Sequence, residues 1–348
     1  MLYTRRDMGK IALASLPAAA LAAPNSKING VQIGAITYSF RSIPDVDQIL
    51  KAYVDIGLSE CELMSNHAES VAGAPTPAGR GGGAARGPGA PGAAAAQGKG
   101  PAAPGGQKKG GGGGGGQQRV ARPPMTEEQI TAARERNKEM REWRKSLSMD
   151  KYKALGKKFD AAGVDIRVLC FNMNEAITDD EIDYAFQMAK ALGAKAISST
   201  TQVTVSKRVA PFAEKHKMMV GYHGHDAVWD PNEFATPESF ATAMGYSKYN
   251  GINLDIGHFT AANYDPVPFL KQHHARITNL HLKDRKKDHG PNVPWGTGDT
   301  PLKEVLLVLK KEKYAIPGNI EMEYPVPEGS SLNAEMTKCL QYAREVLA

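Results

Sequence analysis

The residues able to do chemistry in this sequence gather at the ends of apolar runs. Met219–His223 ends in His223 and continues Gly224-His225-Asp226, and Ile252–Asp255 ends in Asp255, with His258 three residues on. Ile277–Lys283 carries His281 and Lys283, and Asn319–Tyr324 carries Glu321 and Glu323. An earlier run, Glu60–Met64, holds Glu62 and is followed by Asn66 and His67. A single His or Asp at such a place is ordinarily a cap or a satisfied polar group. Four consecutive runs that each end in a ligand-type residue form a different pattern. Imidazole and carboxylate together suit a divalent ion such as Mn²⁺, Co²⁺ or Zn²⁺, and the same groups serve as general acids and bases.

For these residues to act together, their runs must be strands of one sheet. Apolar strand-like runs recur at Ile33–Phe40, Glu60–Met64, Asp165–Phe171, Ala196–Thr200, Met219–His223, Ile252–Asp255, Ile277–Lys283 and Asn319–Tyr324. Helical patterns lie near 45–57, 150–162, 179–192, 206–217, 236–246, 266–275, 301–312 and 331–347. Strict alternation predicts parallel strands with crossover helices, and eight units fit an α/β fold of the closed (β/α)8 TIM-barrel type. Gly57, Gly163 and Gly193 follow helical patterns, as glycines that end helices do. A doubly wound open sheet is the alternative, weakened because no Gly-rich phosphate fingerprint follows the first strand. In a barrel these strand ends converge on one pocket.

Two stretches fall outside this alternation. Residues 71–122 are dominated by Gly, Ala and Pro, with Gly110–Gly116 unbroken, and hold much of the chain's 36 Gly and 22 Pro. Such a composition cannot bury enough apolar surface to offset the entropy of ordering, so the expectation is a disordered insertion after the second strand. Thr126-Glu127-Glu128-Gln129 then reads as a capping box opening a charged helix over about 126–147. At the N-terminus, Thr4-Arg5-Arg6-Asp7-Met8-Gly9-Lys10 precedes the apolar run 11–23, which ends in small residues. This resembles a twin-arginine export signal and is too short for a stable membrane anchor. The expected organisation is a signal over 1–26 and a single barrel domain over 27–348, interrupted at 71–122. The expected location is periplasmic or secreted.

Charge bears on partners. The formal net charge is +6, but residues 1–26 carry +2 and residues 68–148 carry +7, which leaves −3 for the remainder. The part expected to fold therefore lacks a basic face for nucleic acid. Three cysteines, Cys61, Cys170 and Cys339, give no disulfide framework; Cys61 and Cys170 lie in apolar runs and read as buried thiols.

The segments Tyr222-His223-Gly224-His225-Asp226, Asn253-Leu254-Asp255-Ile256-Gly257-His258, His281-Leu282-Lys283-Asp284 and Ile320-Glu321-Met322-Glu323 resemble the xylose isomerase-like TIM-barrel superfamily. That group includes sugar phosphate isomerases/epimerases, inosose dehydratases and ketose 3-epimerases. Trp295-Gly296-Thr297-Gly298-Asp299 resembles the loop that follows strand seven there. The resemblance spans residues 30–66 and 150–348 and is most specific from strand five onward. It implies one divalent metal held by four side chains, with Mn²⁺ preferred over Co²⁺, Zn²⁺ or Mg²⁺. Asp255, His281 and Glu321 match three ligand positions. The fourth is commonly Glu, and this chain has His223 there, with His225 the other candidate; Glu323 is the rival of Glu321.

The resemblance further implies proton abstraction beside a sugar carbonyl, through an enediolate stabilised by the metal. Glu62, His225, Lys283 and Glu323 are the expected catalytic groups, and His258, Tyr38, His67 and Trp295 the expected substrate contacts. Export favours a non-phosphorylated sugar or keto-sugar. Isomerisation or epimerisation is the leading expectation. A dehydratase on a keto-sugar, inosose or 3-keto-glycoside shares the first step, and a non-catalytic sugar-binding barrel is the alternative of another class. An abasic-site endonuclease, also known in this superfamily, is disfavoured by the acidic remainder. A small carbohydrate is the expected partner, nucleic acid and a membrane anchor are not expected, and assembly into a homo-oligomer is left open.

Overall fold

The computed structural model describes residues 23–75 and 120–348. The expected signal segment lies almost wholly outside these residues, as does the core of the low-complexity insertion. The eight barrel strands are β1 (Val31–Ile36), β2 (Glu60–Met64), β3 (Asp165–Cys170), β4 (Ala196–Ser199), β5 (Met219–His223), β6 (Asn250–Asp255), β7 (Ile277–Leu282) and β8 (Gly318–Ile320). Each pairs in parallel with the next, and β1 pairs with β8, which closes the sheet. This is the expected (β/α)8 barrel. Twelve α-helices are described: α1 (Val46–Ile56), α2 (Ser65–Ala72), α3 (Glu127–Arg136), α4 (Lys138–Ser146), α5 (Asp150–Ala161), α6 (Asp179–Leu192), α7 (Val203–His216), α8 (Pro237–Tyr246), α9 (Ile256–Ala261), α10 (Pro266–His273), α11 (Leu302–Glu312) and α12 (Leu332–Leu347).

Local chemistry explains the boundaries. Asp45, Thr178 and Thr236 cap α1, α6 and α8 with side-chain oxygens, which satisfy amides that a helix start leaves unpaired. Gly57 and Gly193 take the left-handed conformation at helix ends. Apolar residues from helices and strands pack into one continuous core.

Several expected boundaries shift. The first strand gives way at Thr37 to a 3-10 turn, Thr37–Phe40, and β8 ends at Ile320, so Glu321 and Glu323 lie beyond regular sheet pairing. The charged helix opens on the expected Thr126–Gln129 capping box but breaks at Asn137 into α3 and α4. At the edges of the insertion, α2 runs on to Ala72, and Arg122 donates its backbone N–H to Asp230 Oδ2 at 2.9 Å. Ser26, the last residue of the expected signal, is tied to the barrel: its hydroxyl binds the Ile33 carbonyl and accepts from Ser59 N at 2.8 Å.

The barrel interior carries unusual polarity. Glu60 and Glu62 both point inward and are almost fully buried. Gly34 makes room for Glu60: a Cβ there would stand 1.6 Å from the Glu60 carboxylate.

Candidate metal centre and active site

Strands β5 to β8 place four side chains around one point. His223, Asp255, His281 and Glu321 each offer a ligand atom, and these atoms lie within 4.8 Å of one another. All four residues are buried. Asp255 ends β6 and caps α9. Its Oδ1 accepts from His258 N at 2.7 Å, and its Oδ2 faces His223 Nε2 at 3.4 Å. One carboxylate thus fixes the helix start and supplies a ligand oxygen. Gly257 lets that helix close onto β7, since a Cβ there would meet the Lys283 carbonyl at 2.8 Å.

His281 is held from both sides. Its Nδ1 lies 3.0 Å from Glu321 Oε2, and its Nε2 lies 2.7 Å from Glu62 Oε2. Glu62 is therefore not placed as a base facing substrate. It has no exposed surface, and its oxygens are taken by Ser198 Oγ, Asn253 Nδ2, Asn279 Nδ2 and His281. A carboxylate that accepts the far N–H of a ligand histidine sets its tautomer and ring orientation. Glu62 stands where such a carboxylate would stand, behind His281.

Lys283 lies at the heart of the cluster. Its Nζ is 3.1 Å from Asp255 Oδ2, 2.8 Å from Glu321 Oε2 and 2.7 Å from Glu323 Oε2, with the side chain 2% exposed. Burial alone would lower its pKa, but Asp255, Glu321 and Glu323 carry it well above the ordinary lysine value. Burial likewise opposes ionisation of Asp255, and Lys283, His258 and His223 hold it ionised, well below the usual carboxylate range. His223 is different: burial lowers it to about 3, so its imidazole is neutral with a lone pair to offer.

The donor set fits a divalent cation. Asp255, Glu321, Glu323 and Glu62 are four carboxylates in or against the cluster, and Lys283 is the one lysine among them. Excess buried negative charge with two imidazoles at ligand spacing is what such an ion neutralises. His223, Asp255, His281 and Glu321 would hold it.

The remaining expected residues separate into two groups. Glu323 is 23% exposed at its side chain and lies beside the cluster through Lys283. His225 stacks edge-on against His223 and His258, at 4.9 and 5.3 Å between rings, and faces Glu233 at 3.4 Å. His258 Nε2 lies 3.1 Å from Lys283 Nζ, while its other side faces Asp226 and Arg285. Burial and the charge of Glu323 raise the Tyr38 phenol above the ordinary tyrosine value, and Arg41 lies over its ring at 4.8 Å. His67 and Trp295 stand apart from the cluster. His67 contacts Thr37 Oγ1 at 3.0 Å, and burial lowers its pKa to about 4. Trp295 packs edge-on against Tyr342 of α12, on the outside of the barrel, rather than over the ligands. Its loop is held by Asp284, which accepts from Gly296, Gly298 and Thr300 N–H groups instead of pairing with Lys283.

The family model for xylose isomerase-like TIM barrels matches residues 129–345. The chain belongs to that family. Solved structures agree in fold. The probable 3-DHS dehydratase AsbF of Bacillus anthracis superposes with a TM-score of 0.54 at 13% identity, over 89% of this chain and 98% of that one. A sugar phosphate isomerase/epimerase of Parabacteroides distasonis gives 0.53 at 14% identity, over 92% and 96%. The IOLI protein with a bound zinc atom gives 0.52 at 13% identity, over 91% and 96%. No curated protein sequence matches the chain. At 13–14% identity these structures show the shared barrel fold.

Several residues of the site were not singled out by the sequence. Ser198, Asn253, Asn279 and Asn319 form a buried polar layer beneath the ligands, in which Asn279 donates to Glu62 and Asn319 to Glu60. The signal was present: Asn253, Asn279 and Asn319 each stand two positions before a ligand, on the same strand face.

Proposed function

We propose that this protein is a metal-dependent sugar isomerase or epimerase acting on a non-phosphorylated sugar or keto-sugar. The observation that carries this is the buried His223–Asp255–His281–Glu321 set, with Lys283, Glu323 and His225 grouped around it. A divalent cation held there supplies Lewis acidity toward a carbonyl and an adjacent hydroxyl, which lowers the barrier to forming charge beside that carbonyl.

The protein groups do the rest. Glu323 and His225 are the candidate bases, because each borders the cluster and Glu62 is sequestered beneath it. They border the centre from the ends of β8 and β5 respectively; if one took the carbon-bound proton while the other, starting protonated, delivered its own proton to the opposite face, the carbon would be inverted. Lys283, an ammonium donor buried among carboxylates, would stabilise negative charge developing on a substrate oxygen. Tyr38 and His258 would hold hydroxyl groups. The proposed setting is outside the cytoplasm, after twin-arginine export, which favours substrates without phosphate.

Purified protein would be analysed for metal, then incubated with a panel of keto-sugars and inososes in deuterated water. Stoichiometric metal, with deuterium wash-in at a carbon beside the carbonyl, is the expected outcome. Loss of water from the product would redirect the reading to a dehydratase. A metal-free protein whose sugar affinity ignores EDTA would sink it.

A further inference from the structure

Beside the ligand set, one carboxylate gathers partners from two other loops. Asp226 follows β5, three residues past His223. Its Oδ2 accepts from Arg285 Nη2 at 3.2 Å and from His289 Nδ1 at 3.2 Å, both in the loop after β7. Its Oδ1 faces His258 Nδ1, in α9, at 3.6 Å. Burial opposes the charge of Asp226, and His258 and Arg285 hold it ionised, well below the usual carboxylate range. The backbone is bent to deliver these partners. Asp288 and His289 are successive left-handed residues, at φ 53° and 58°. Non-glycine residues keep that conformation where their surroundings hold them. Here His289 N donates to the Ala261 carbonyl at the end of α9 at 2.8 Å, and Asn263 Nδ2 donates to Asp288 Oδ1 at 3.0 Å. The turn that aims His289 at Asp226 is thus tied to the helix that carries His258.

The ring of His258 lies between two cations. Lys283 Nζ stands 3.1 Å from its Nε2, and Arg285 Nη1 stands 2.5 Å from its Nδ1. Flanking cations disfavour a second ring proton. A neutral imidazole has one N–H and one lone pair, while an ammonium and a guanidinium only donate. One ring nitrogen therefore points its proton at a cation unless a carboxylate receives it. On the Nε2 side the carboxylate within reach is Asp255 Oδ2 at 3.9 Å, which already serves the ligand set and Lys283. On the Nδ1 side Asp226 Oδ1 is nearer, at 3.6 Å, and lies outside the ligand set. The 2.5 Å contact with Arg285 is tighter than the roughly 2.7–3.2 Å of an ordinary hydrogen bond. Arg285 also has other acceptors, the Gly290 carbonyl for Nε and Nη2 and Asp226 Oδ2 for Nη2. A proton on Nδ1 thus has an anion to meet, and Nε2 can then accept from Lys283.

We infer that Asp226 is a positioning residue that keeps the His258 proton on Nδ1 and so presents Nε2 as an acceptor on the metal side. A carboxylate at Nδ1 holds an imidazole in one tautomer and one orientation. Lys283 keeps Asp255, Glu321 and Glu323 as partners, so it can yield the Nε2 lone pair to a ligand. What meets that lone pair rests on the keto-sugar reading above: a substrate hydroxyl donates to it, and a group with no proton to give does not. Asp226 thereby acts on selectivity through His258, since sites built to pair with a substrate hydroxyl discriminate against ligands that lack it.

The test uses the full-length protein loaded with Zn²⁺, which is diamagnetic, and labelled with nitrogen-15 in its histidine rings. Long-range proton–nitrogen spectra separate protonated from bare ring nitrogens, and His258→Gln identifies the His258 signals by their loss. The unaltered protein should show Nδ1 protonated and Nε2 bare. A proton on Nε2 would overturn the inference, whether or not any variant folds. Asp226→Asn keeps the side chain's size and offers Nδ1 a donor. It should move the proton to Nε2 and leave the zinc content unchanged. An unmoved proton would make Asp226 a brace for Arg285 alone and overturn the inference. D-Fructose, titrated calorimetrically with and without EDTA, should bind the Asp226→Asn protein about 10-fold more weakly. Undiminished EDTA-sensitive binding would overturn the effect on selectivity. Absence of EDTA-sensitive fructose binding to the unaltered protein would count against the keto-sugar reading, while the ring spectrum decides the tautomer without any ligand.

Discussion

The two halves of the barrel divide the work. Strands β5 to β8 contribute every member of the ligand set and Lys283. Strands β2 to β4 and the residues that follow them contribute no ligand; Glu62 touches His281 and Thr200 touches His223, while Ser198 holds Glu62. One half holds charge at the centre, and the other orients it and shapes the wall. A site of this kind needs both, because a ligand that swivels binds its ion poorly.

The largest effect is expected at the centre. Asp255→Asn keeps an oxygen to cap α9 and removes the anionic ligand. Metal content should fall below stoichiometric, and turnover, once a substrate is in hand, should drop on the order of 10³-fold. Near-normal metal content would show that the ligand set is misassigned.

Lys283→Met tests the charge balance of the same half. It leaves Asp255, Glu321 and Glu323 buried without their ammonium partner. Removing one member of a buried ionic group costs about 3–5 kcal/mol. In chelator-treated protein, denaturant unfolding should therefore show a large loss of stability. Saturating metal should recover much of it, since a divalent cation neutralises the same carboxylates.

Glu62→Gln turns to the supporting half. Its effect should be smaller and of another kind: metal affinity reduced by about 10- to 100-fold, with full occupancy regained at high metal concentration. Competition with a calibrated chelator measures this directly. An effect as large as that of Asp255→Asn would make Glu62 a participant rather than a support.

This division also explains what the sequence made legible. The barrel follows from eight apolar runs alternating with helical patterns, and most boundaries shift by only a few residues. The ligands of β5 to β8 are legible because His and Asp in strand-end motifs are rare and chemically specific. Glu62 is visible as a carboxylate at a strand end, but its role is not, because only the closed sheet shows that Asn253, Asn279 and Ser198 surround it. Trp295 misleads for a related reason. A Gly-rich loop after β7 fixes its neighbourhood, yet Asp284 gathers the loop amides and turns the indole toward Tyr342.

The smallest effect is expected at His67, which joins the ends of β1 and β2 through Thr37, whose Oγ1 also accepts from Met64 N at 2.9 Å. Burial lowers the His67 pKa to about 4, below the ordinary value of 6.5, so the folded state prefers the neutral ring. Between those values the unfolded chain binds more protons than the folded one. Stability is therefore complete above pH 6.5 and declines as the pH falls toward 4. At pH 5.5 the loss attributable to His67 is about 1.4 kcal/mol. His67→Asn, which cannot titrate and keeps a polar atom near Thr37, should flatten that part of the profile. Unfolding of the two proteins at pH 8 and pH 5.5 isolates the term, because every other histidine contributes equally to both. An unchanged difference would place the acid sensitivity in the ligand half, where His223 and His281 sit, and would remove His67 from the account of how the supporting half is held together.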